Sequence, residues 1–269
     1  MLNYLAIEWI KIRKSGFLWP YVAALPCVTV LFTYLIASGL DGTTTTFNNR
    51  SGMDLWYSTL SLFFTISQPL HLILTGLLLI GWQQHEHRDN TFKLYEVASR
   101  DVFDAIGVRF ILFFFIYVIV GSLSLFAGFK TIDLVLNARF LDSSFYVIDT
   151  DSLFLYFIDG YKALIVLSLP VYFFMFVLSF RIDKTSISIL TLLSLCIVSF
   201  LSLPRWLFIG STNEALKILW VMKMSDIPIY DAGDLKEVYI YNSIGIILLA
   251  GTMYYLAKQK RLLNQQLYE

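Results

Sequence analysis

The residues best suited to chemistry in this sequence are histidines and their polar neighbours. His85, Glu86 and His87 are consecutive and offer two imidazoles and a carboxylate, which are common ligands of transition metals. On a helix, however, side chains two residues apart point to different sides, whereas side chains three or four apart converge. The spacing therefore favours a polar stretch where a membrane helix meets water. We predict neither a metal site nor a catalytic residue in this chain.

Two other polar residues, Gln68 and His71, flank Pro69 inside a long apolar run. Polar side chains are costly against lipid, so these two are expected to face the interior of a helix bundle or a cavity. Pro69 removes one backbone hydrogen bond and tends to kink a helix. Gln68 and His71 are therefore candidates for a substrate path, and a hydrogen bond between helices explains them equally well.

Nucleotide-binding motifs are missing from the sequence. It contains no G-x-x-x-x-G-K-[ST] loop and no Gly-rich dinucleotide fingerprint, and the hydrolase motifs G-x-S-x-G and H-E-x-x-H are missing too. We therefore predict no cofactor in this chain. If ATP drives its function, another subunit must bind the ATP and Mg²⁺.

The composition indicates which kind of secondary structure positions these polar residues. The chain has 269 residues, of which 57% are hydrophobic and 15% are charged, whereas soluble domains carry about 25% charged residues. The apolar residues form runs of roughly 20, the length that crosses about 30 Å of hydrocarbon as a helix. We predict an all-α, polytopic membrane bundle that forms one domain over residues 1–269. Its six transmembrane helices are expected at about 17–38, 55–82, 106–129, 154–180, 185–203 and 238–257.

Two shorter helices are expected beside these spans. Residues 1–14 place Leu2, Leu5, Trp9 and Ile12 at helical spacing and end in basic residues, which is typical of an interfacial helix. Between the last two spans, Ser211 and Glu214 have the spacing of a capping box ahead of about ten residues of helical pattern. That segment is too short to span and is interfacial or re-entrant.

The distribution of Lys and Arg sets the orientation. With the N-terminus inside, twelve of the 20 basic residues lie in short cytoplasmic segments next to the spans. Both termini are therefore predicted to be cytoplasmic. The formal net charge is zero, and we predict no nucleic-acid partner.

Residues 83–105 form the one substantial cytoplasmic loop of this layout. A connection between antiparallel helices needs only about 2–8 residues, and this segment adds apolar side chains among its charges, including Phe92 and Tyr95. A soluble partner could bury these aromatics inside a charged rim. The other reading is a short helix that lies on the lipid headgroups.

Three features of the sequence occur in the same order in one known family. Glu8 precedes a basic helix end, the segment Glu86-x-x-x-x-Thr91-x-Lys93-Leu94 follows the second span, and Ser99-Arg100 precedes the third. This pattern resembles the membrane subunit of ABC-2 type transporters, specifically the six-helix permeases of peptide-antibiotic export and bacteriocin-immunity systems. The sequence departs from the family at Asn90, where Gly is usual, and at Ala98, where Pro is common.

The resemblance implies a non-enzymatic permease subunit of an ATP-driven exporter in a bacterial plasma membrane. A cytoplasmic ATPase would dock on the loop, and a second permease chain, identical or homologous, would complete a path for a peptide or an amphiphile. The implied ATPase interface consists of Glu86, Arg88, Thr91, Phe92, Lys93, Leu94, Tyr95, Val97 and Arg100.

Two other classes of function compete with this interpretation. One is a membrane enzyme that uses His71, His85 and His87 with nearby acids, which would require polar groups converging at one depth. The predicted layout divides these histidines between the mid-bilayer and the cytoplasm. The other is a scaffold or sensor that transports nothing.

Overall fold

The structure, a computed structural model, describes residues 2–14, 16–39, 52–88, 102–140, 149–181, 185–199, 211–224 and 232–268. Within these ranges the chain is helical and contains no strand. The helices, numbered in chain order, are α1 Leu2–Lys14, α2 Leu18–Gly39, α3 Gly52–Arg88, α4 Val102–Phe140, α5 Thr150–Leu167, α6 Leu169–Arg181, α7 Thr185–Ser199, α8 Ser211–Met224 and α9 Ala232–Tyr268. The predicted all-α class is confirmed for this part of the chain.

Four stretches of the described helices are long and apolar enough to cross a membrane: Leu18–Gly39, Gly52–Trp82, Gly107–Phe140 and Thr150–Phe176. A shorter apolar helix covers Ser186–Val198. Large apolar side chains such as Leu134, Leu190 and Ile247 are exposed on the outside of the bundle, as expected where lipid replaces water. The chain is therefore compatible with a multi-pass membrane protein. The count of six spans stays a prediction.

Some helices extend beyond the predicted spans, which stay predictions. The loop predicted at 83–105 is helical at both ends, because α3 continues to Arg88 and α4 begins at Val102. The helix that contains the third predicted span, 106–129, continues to Phe140. The fourth predicted span, 154–180, contains the junction of α5 and α6 at Ser168, although one apolar stretch, Thr150–Phe176, runs across it. Helices that leave the hydrocarbon keep their hydrogen bonds in water, so the end of an apolar run does not end a helix.

The first, third and fourth helices meet at one end of the bundle. The Arg109 guanidinium donates to both carboxylate oxygens of Glu8, with Nε–Oε2 at 2.9 Å and Nη2–Oε1 at 3.2 Å. Both side chains are 1% exposed. Gly81 of α3 faces the Phe17 ring, which immediately precedes α2. Since Glu8 belongs to α1 and Arg109 to the beginning of α4, α1 lies at the same end of the bundle as both flanks of the segment 89–101.

At the opposite end of the bundle, a side chain of α4 caps the C-terminus of α2. Arg139, in its last turn, donates to the carbonyls of Ser38 at 3.0 Å and Ala37 at 3.5 Å. These carbonyls belong to the final turn of α2, where no further helical N–H can reach them. A cation at a helix C-terminus also interacts favourably with the helix dipole. The contact fixes α2 and α4 as antiparallel neighbours.

Glycines allow the close approach of the central helices. A Cβ on Gly160 of α5 would come within 2.3 Å of the Phe64 ring of α3, and a Cβ on Gly128 of α4 within 2.5 Å of the Phe63 ring. Both rings are 1% exposed. Small residues permit such contacts between membrane helices, where packing rather than water exclusion drives association.

We expect Gly160→Ala to destabilise the bundle by about 1–3 kcal/mol, because the added methyl group must displace a packed ring. Gly251→Ala is the matched control, since nothing lies within 4 Å of a Cβ there and Ala favours a helix by about 1 kcal/mol over Gly. Thermal unfolding of both variants in the same detergent measures the difference. Equal loss of stability in both variants would contradict this packing.

A second prediction concerns the N-terminus of α5. The Asp149 carboxylate accepts hydrogen bonds from the Asp151 and Ser152 N–H groups and from the Ser152 hydroxyl. The Ser152 hydroxyl is the first cause that lowers the pKa of Asp149 below its usual 3.8. Because the folded pKa is depressed, the stabilisation is present above the unfolded pKa and is lost as the pH falls through the folded one. The Tm difference between the wild type and Asp149→Ala should therefore shrink on acidification. Asp149→Asn keeps a neutral cap acceptor, so the Tm difference between Asn and Ala variants should change little.

Candidate functional site at a broken helix

The break between α5 and α6 lies within the apolar stretch Thr150–Phe176. Pro170 has no N–H and cannot bond to the carbonyl one turn earlier, so the regular hydrogen-bond ladder fails here. The Val171 N–H bonds to the Ser168 carbonyl three residues earlier, at 3.1 Å, and this carbonyl also accepts the regular helical bond from the Tyr172 N–H at 3.2 Å. The carbonyl of Leu167, to which the Val171 N–H would bond in a regular helix, therefore needs another donor.

Side chains from neighbouring helices bond to the carbonyls at the break. Asn242 of α9 donates from Nδ2 to the Leu167 carbonyl at 2.9 Å. Tyr117 of α4 reaches the Leu164 carbonyl at 3.3 Å and the Ser168 hydroxyl at 2.7 Å. Ser168 Oγ also donates to Leu164 at 2.6 Å. Irregular backbone at membrane depth is tolerated when it is buried in protein and bonded in this way.

A cavity of about 10 Å³ lies beside the break. This volume is about what one water molecule needs. It is enclosed by α3, by both pieces of the broken helix and by the first turn of α8. The lining residues are Gln68, His71, Leu72, Leu164, Ser168, Val171, Tyr172 and Thr212.

The polar atoms of α3 at this cavity have no partner in the described part of the chain. Gln68 Oε1 and both ring nitrogens of His71 are buried there without a hydrogen bond. Gln68 is 5% exposed and His71 is 1% exposed. An unpaired buried polar group costs about 1–3 kcal/mol, and the cavity beside these three atoms has room for one water molecule that would bond to them.

Gly121 of α4 lies next to the imidazole and makes room for Ile165 of α5. A Cβ at this position would come within 3.6 Å of His71 Cε1 and within 2.9 Å of Ile165 Cδ1. One turn from His71 along α3, Thr75 Oγ1 lies 3.1 Å from the Tyr21 hydroxyl of α2. The polar face of α3 thus has a bonded part at Thr75 and an unbonded part at Gln68 and His71.

The structure therefore brings together the two residues predicted for a substrate path. Gln68 and His71 line one cavity, and Ser168, Tyr172 and Thr212 complete its polar side. Sequence reasoning missed these three. Pro170 was the available signal, because a proline inside an apolar run marks a place where backbone groups need other partners.

Only the first two residues of the predicted ATPase interface lie in the part of the chain that the structure describes. Glu86 and Arg88 belong to the last turns of α3, whereas Thr91, Phe92, Lys93, Leu94, Tyr95, Val97 and Arg100 lie outside the described residues. His85 and His87 are also in α3. Among the residues searched within the described ranges, no group of three or more His, Cys, Asp and Glu side chains could hold a metal ion.

Helix α1, predicted as an interfacial helix, turns its one carboxylate toward the bundle. Glu8 and Ile12 are buried, while Trp9 is 41% exposed. Arg109 holds the carboxylate inward, and its guanidinium comes from a helix about 100 residues further along the sequence. A helical pattern within α1 contains no information about that distant partner.

Compared with protein-family models, with curated proteins and with solved structures, the chain matches none of them.

We expect His71→Leu to leave the thermal stability of the bundle unchanged or to raise it, because Leu has a similar volume and removes two unpaired nitrogens. Tyr117→Phe is the contrasting variant, since it deletes a hydroxyl that is hydrogen-bonded at the break, and should cost about 1 kcal/mol. Thermal unfolding in detergent compares the two. A larger loss for His71→Leu than for Tyr117→Phe would mean that the imidazole has a structural bonding role.

Proposed function

We propose that this chain is the membrane-spanning permease subunit of an ATP-binding-cassette exporter in a bacterial plasma membrane. It crosses the bilayer six times with both termini in the cytoplasm. A separate cytoplasmic subunit binds and hydrolyses ATP. A second permease chain, identical or homologous, completes the path for a peptide or an amphiphile.

The observation that carries this proposal is the cavity with unpaired polar atoms inside an apolar bundle. Gln68 Oε1 and both ring nitrogens of His71 are buried without a hydrogen-bond partner in the described part of the chain, so they are available to bond to a polar group that enters the cavity. The neighbouring helix is broken at the same place. Discontinuous helices occur at the substrate sites of many transporters.

The arrangement of α3 and α4 gives the second argument. Their 37 and 39 residues correspond to about 56 and 58 Å of helix, nearly twice the hydrocarbon thickness of about 30 Å. Both helices are therefore longer than one crossing of the hydrocarbon requires, and α3 continues for six residues past its apolar stretch Gly52–Trp82. The same end of the bundle holds α1 with its basic last turn, as expected of a cytoplasmic face.

This geometry suggests how ATP hydrolysis would reach the cavity. The loop 83–105 and the residues Gln68 and His71 share one helix, and His71 is about 26 Å along α3 from Arg88. A push on the loop would move α3 past the broken helix, whose pieces are tied to α4 and α9 by side chains. The cavity walls belong to both sides of that boundary, so relative motion would open them.

The test is retention of the ATPase subunit. Phe92→Asp and Tyr95→Asp each place a charge in the predicted docking face, and a buried aromatic anchor contributes about 2 kcal/mol or more. We expect each variant to lose most of the ATPase subunit that co-purifies with the wild type from native membranes. Mass spectrometry of the purified complex identifies and quantifies that subunit.

Tyr146→Asp is the matched control, because it makes the same change in the loop predicted on the outer face. It should retain the ATPase subunit at the wild-type level. Thermal unfolding of all three variants checks that the bundle is intact. Unchanged retention in both the Phe92 and the Tyr95 variant would refute the interface, and wild-type protein that purifies without any ATPase would refute the transporter class.

A further inference from the structure

Helix α1 exposes the side chains that a helix in water would bury. Ile7, Trp9 and Ile10 are 44%, 41% and 48% exposed, whereas Glu8 is 1% exposed. The two hydrogen bonds from Arg109 hold the carboxylate inward, and this fixes the rotation of the helix about its axis. The apolar side chains consequently face away from the bundle.

The apolar surface continues from α1 onto the start of α2. Phe17 and Trp19 are 45% and 59% exposed, and the Trp19 indole N–H donates to the Arg13 carbonyl at 3.2 Å. This bond ties the C-terminal end of α1 to the first apolar stretch. Aromatic residues at the end of a membrane-spanning segment prefer the headgroup region.

The exposed charges of α1 are cationic. Glu8 is its only acidic residue, and that carboxylate faces Arg109. Arg13 and Lys14 are exposed in the last turn, next to the exposed aromatic rings. A surface that combines apolar side chains with cations complements an anionic amphiphile, with the acyl chains against the rings and the phosphate against the charges.

We propose that the outward face of α1 and the start of α2, formed by Ile7, Trp9, Ile10, Arg13, Lys14 and Trp19, binds the headgroups of anionic phospholipids. The hydrogen bonds between Glu8 and Arg109 keep the negative carboxylate of Glu8 buried, so the outward face of α1 carries only positive charges. The site is independent of ATP and of the ATPase subunit.

The experiment uses the full chain, equilibrated in mixed micelles that contain equal amounts of phosphatidylglycerol and phosphatidylcholine. After purification, mass spectrometry gives the ratio of the two lipids retained per protein. We expect the wild type to be enriched in phosphatidylglycerol. Arg13→Gln with Lys14→Gln should reduce that enrichment by about fivefold for each cation removed, and 1 M salt should reduce it in the wild type.

Lys130→Gln with Lys162→Gln is the control, since it also removes two exposed cations, at 53% and 56% exposure, from other parts of the bundle. This variant should keep the wild-type enrichment. Equal enrichment in the wild type and in the Arg13/Lys14 variant would overturn the proposal. Loss of the ATPase subunit from the Arg13/Lys14 variant with unchanged lipid ratios would assign the surface to a protein partner instead.

Discussion

The structure depends on one constraint, namely that a backbone carbonyl surrounded by hydrocarbon must find a donor within the protein. Most carbonyls find it in their own helix. At the break near Ser168 they cannot, and donors come from Tyr117 of α4 and Asn242 of α9. At the end of α2, Arg139 has the same role. These side-chain-to-carbonyl bonds join helices distant in sequence, so satisfying the backbone also helps to define which helices are neighbours.

Buried polar side chains in this bundle are of two kinds, those with hydrogen-bond partners and those without. Glu8 and Arg109 form a buried pair with charge-assisted bonds at 2.9 and 3.2 Å, and Lys11 also donates to the Glu8 carboxylate at 3.2 Å. Such a pair fixes one arrangement. Gln68 Oε1 and both ring nitrogens of His71 have no hydrogen-bond partner within the described residues, so these three atoms join α3 to no other helix. The neighbouring Tyr117 and Asn242 side chains do join helices at the same depth.

Hydrophobic runs predicted the class of fold because the length needed to cross hydrocarbon is a local property of the sequence. The same runs do not show where α3 and α4 end, since both continue as helices beyond the predicted spans. Gln68 and His71 could be selected from sequence, since polar side chains inside an apolar run are costly against lipid and must face the interior of the bundle. Thr212 and Tyr172 could not, because ordinary residues become site residues only when helices from different parts of the chain pack together. Glu8 shows the same limit, since its inward orientation depends on Arg109.

The proposed permease requires a cavity that binds a passing molecule without reacting with it. Its lining has neutral polar side chains and no carboxylate, whereas a histidine base is usually oriented by an acidic or other polar partner. Within the described residues His71 has no hydrogen-bond partner on either nitrogen, so nothing there fixes its tautomer. Neutral donors and acceptors without fixed partners can bond briefly to the polar groups of a passing molecule and release them again. A path through an apolar bundle needs that property, because a group bound too strongly at the middle would not leave.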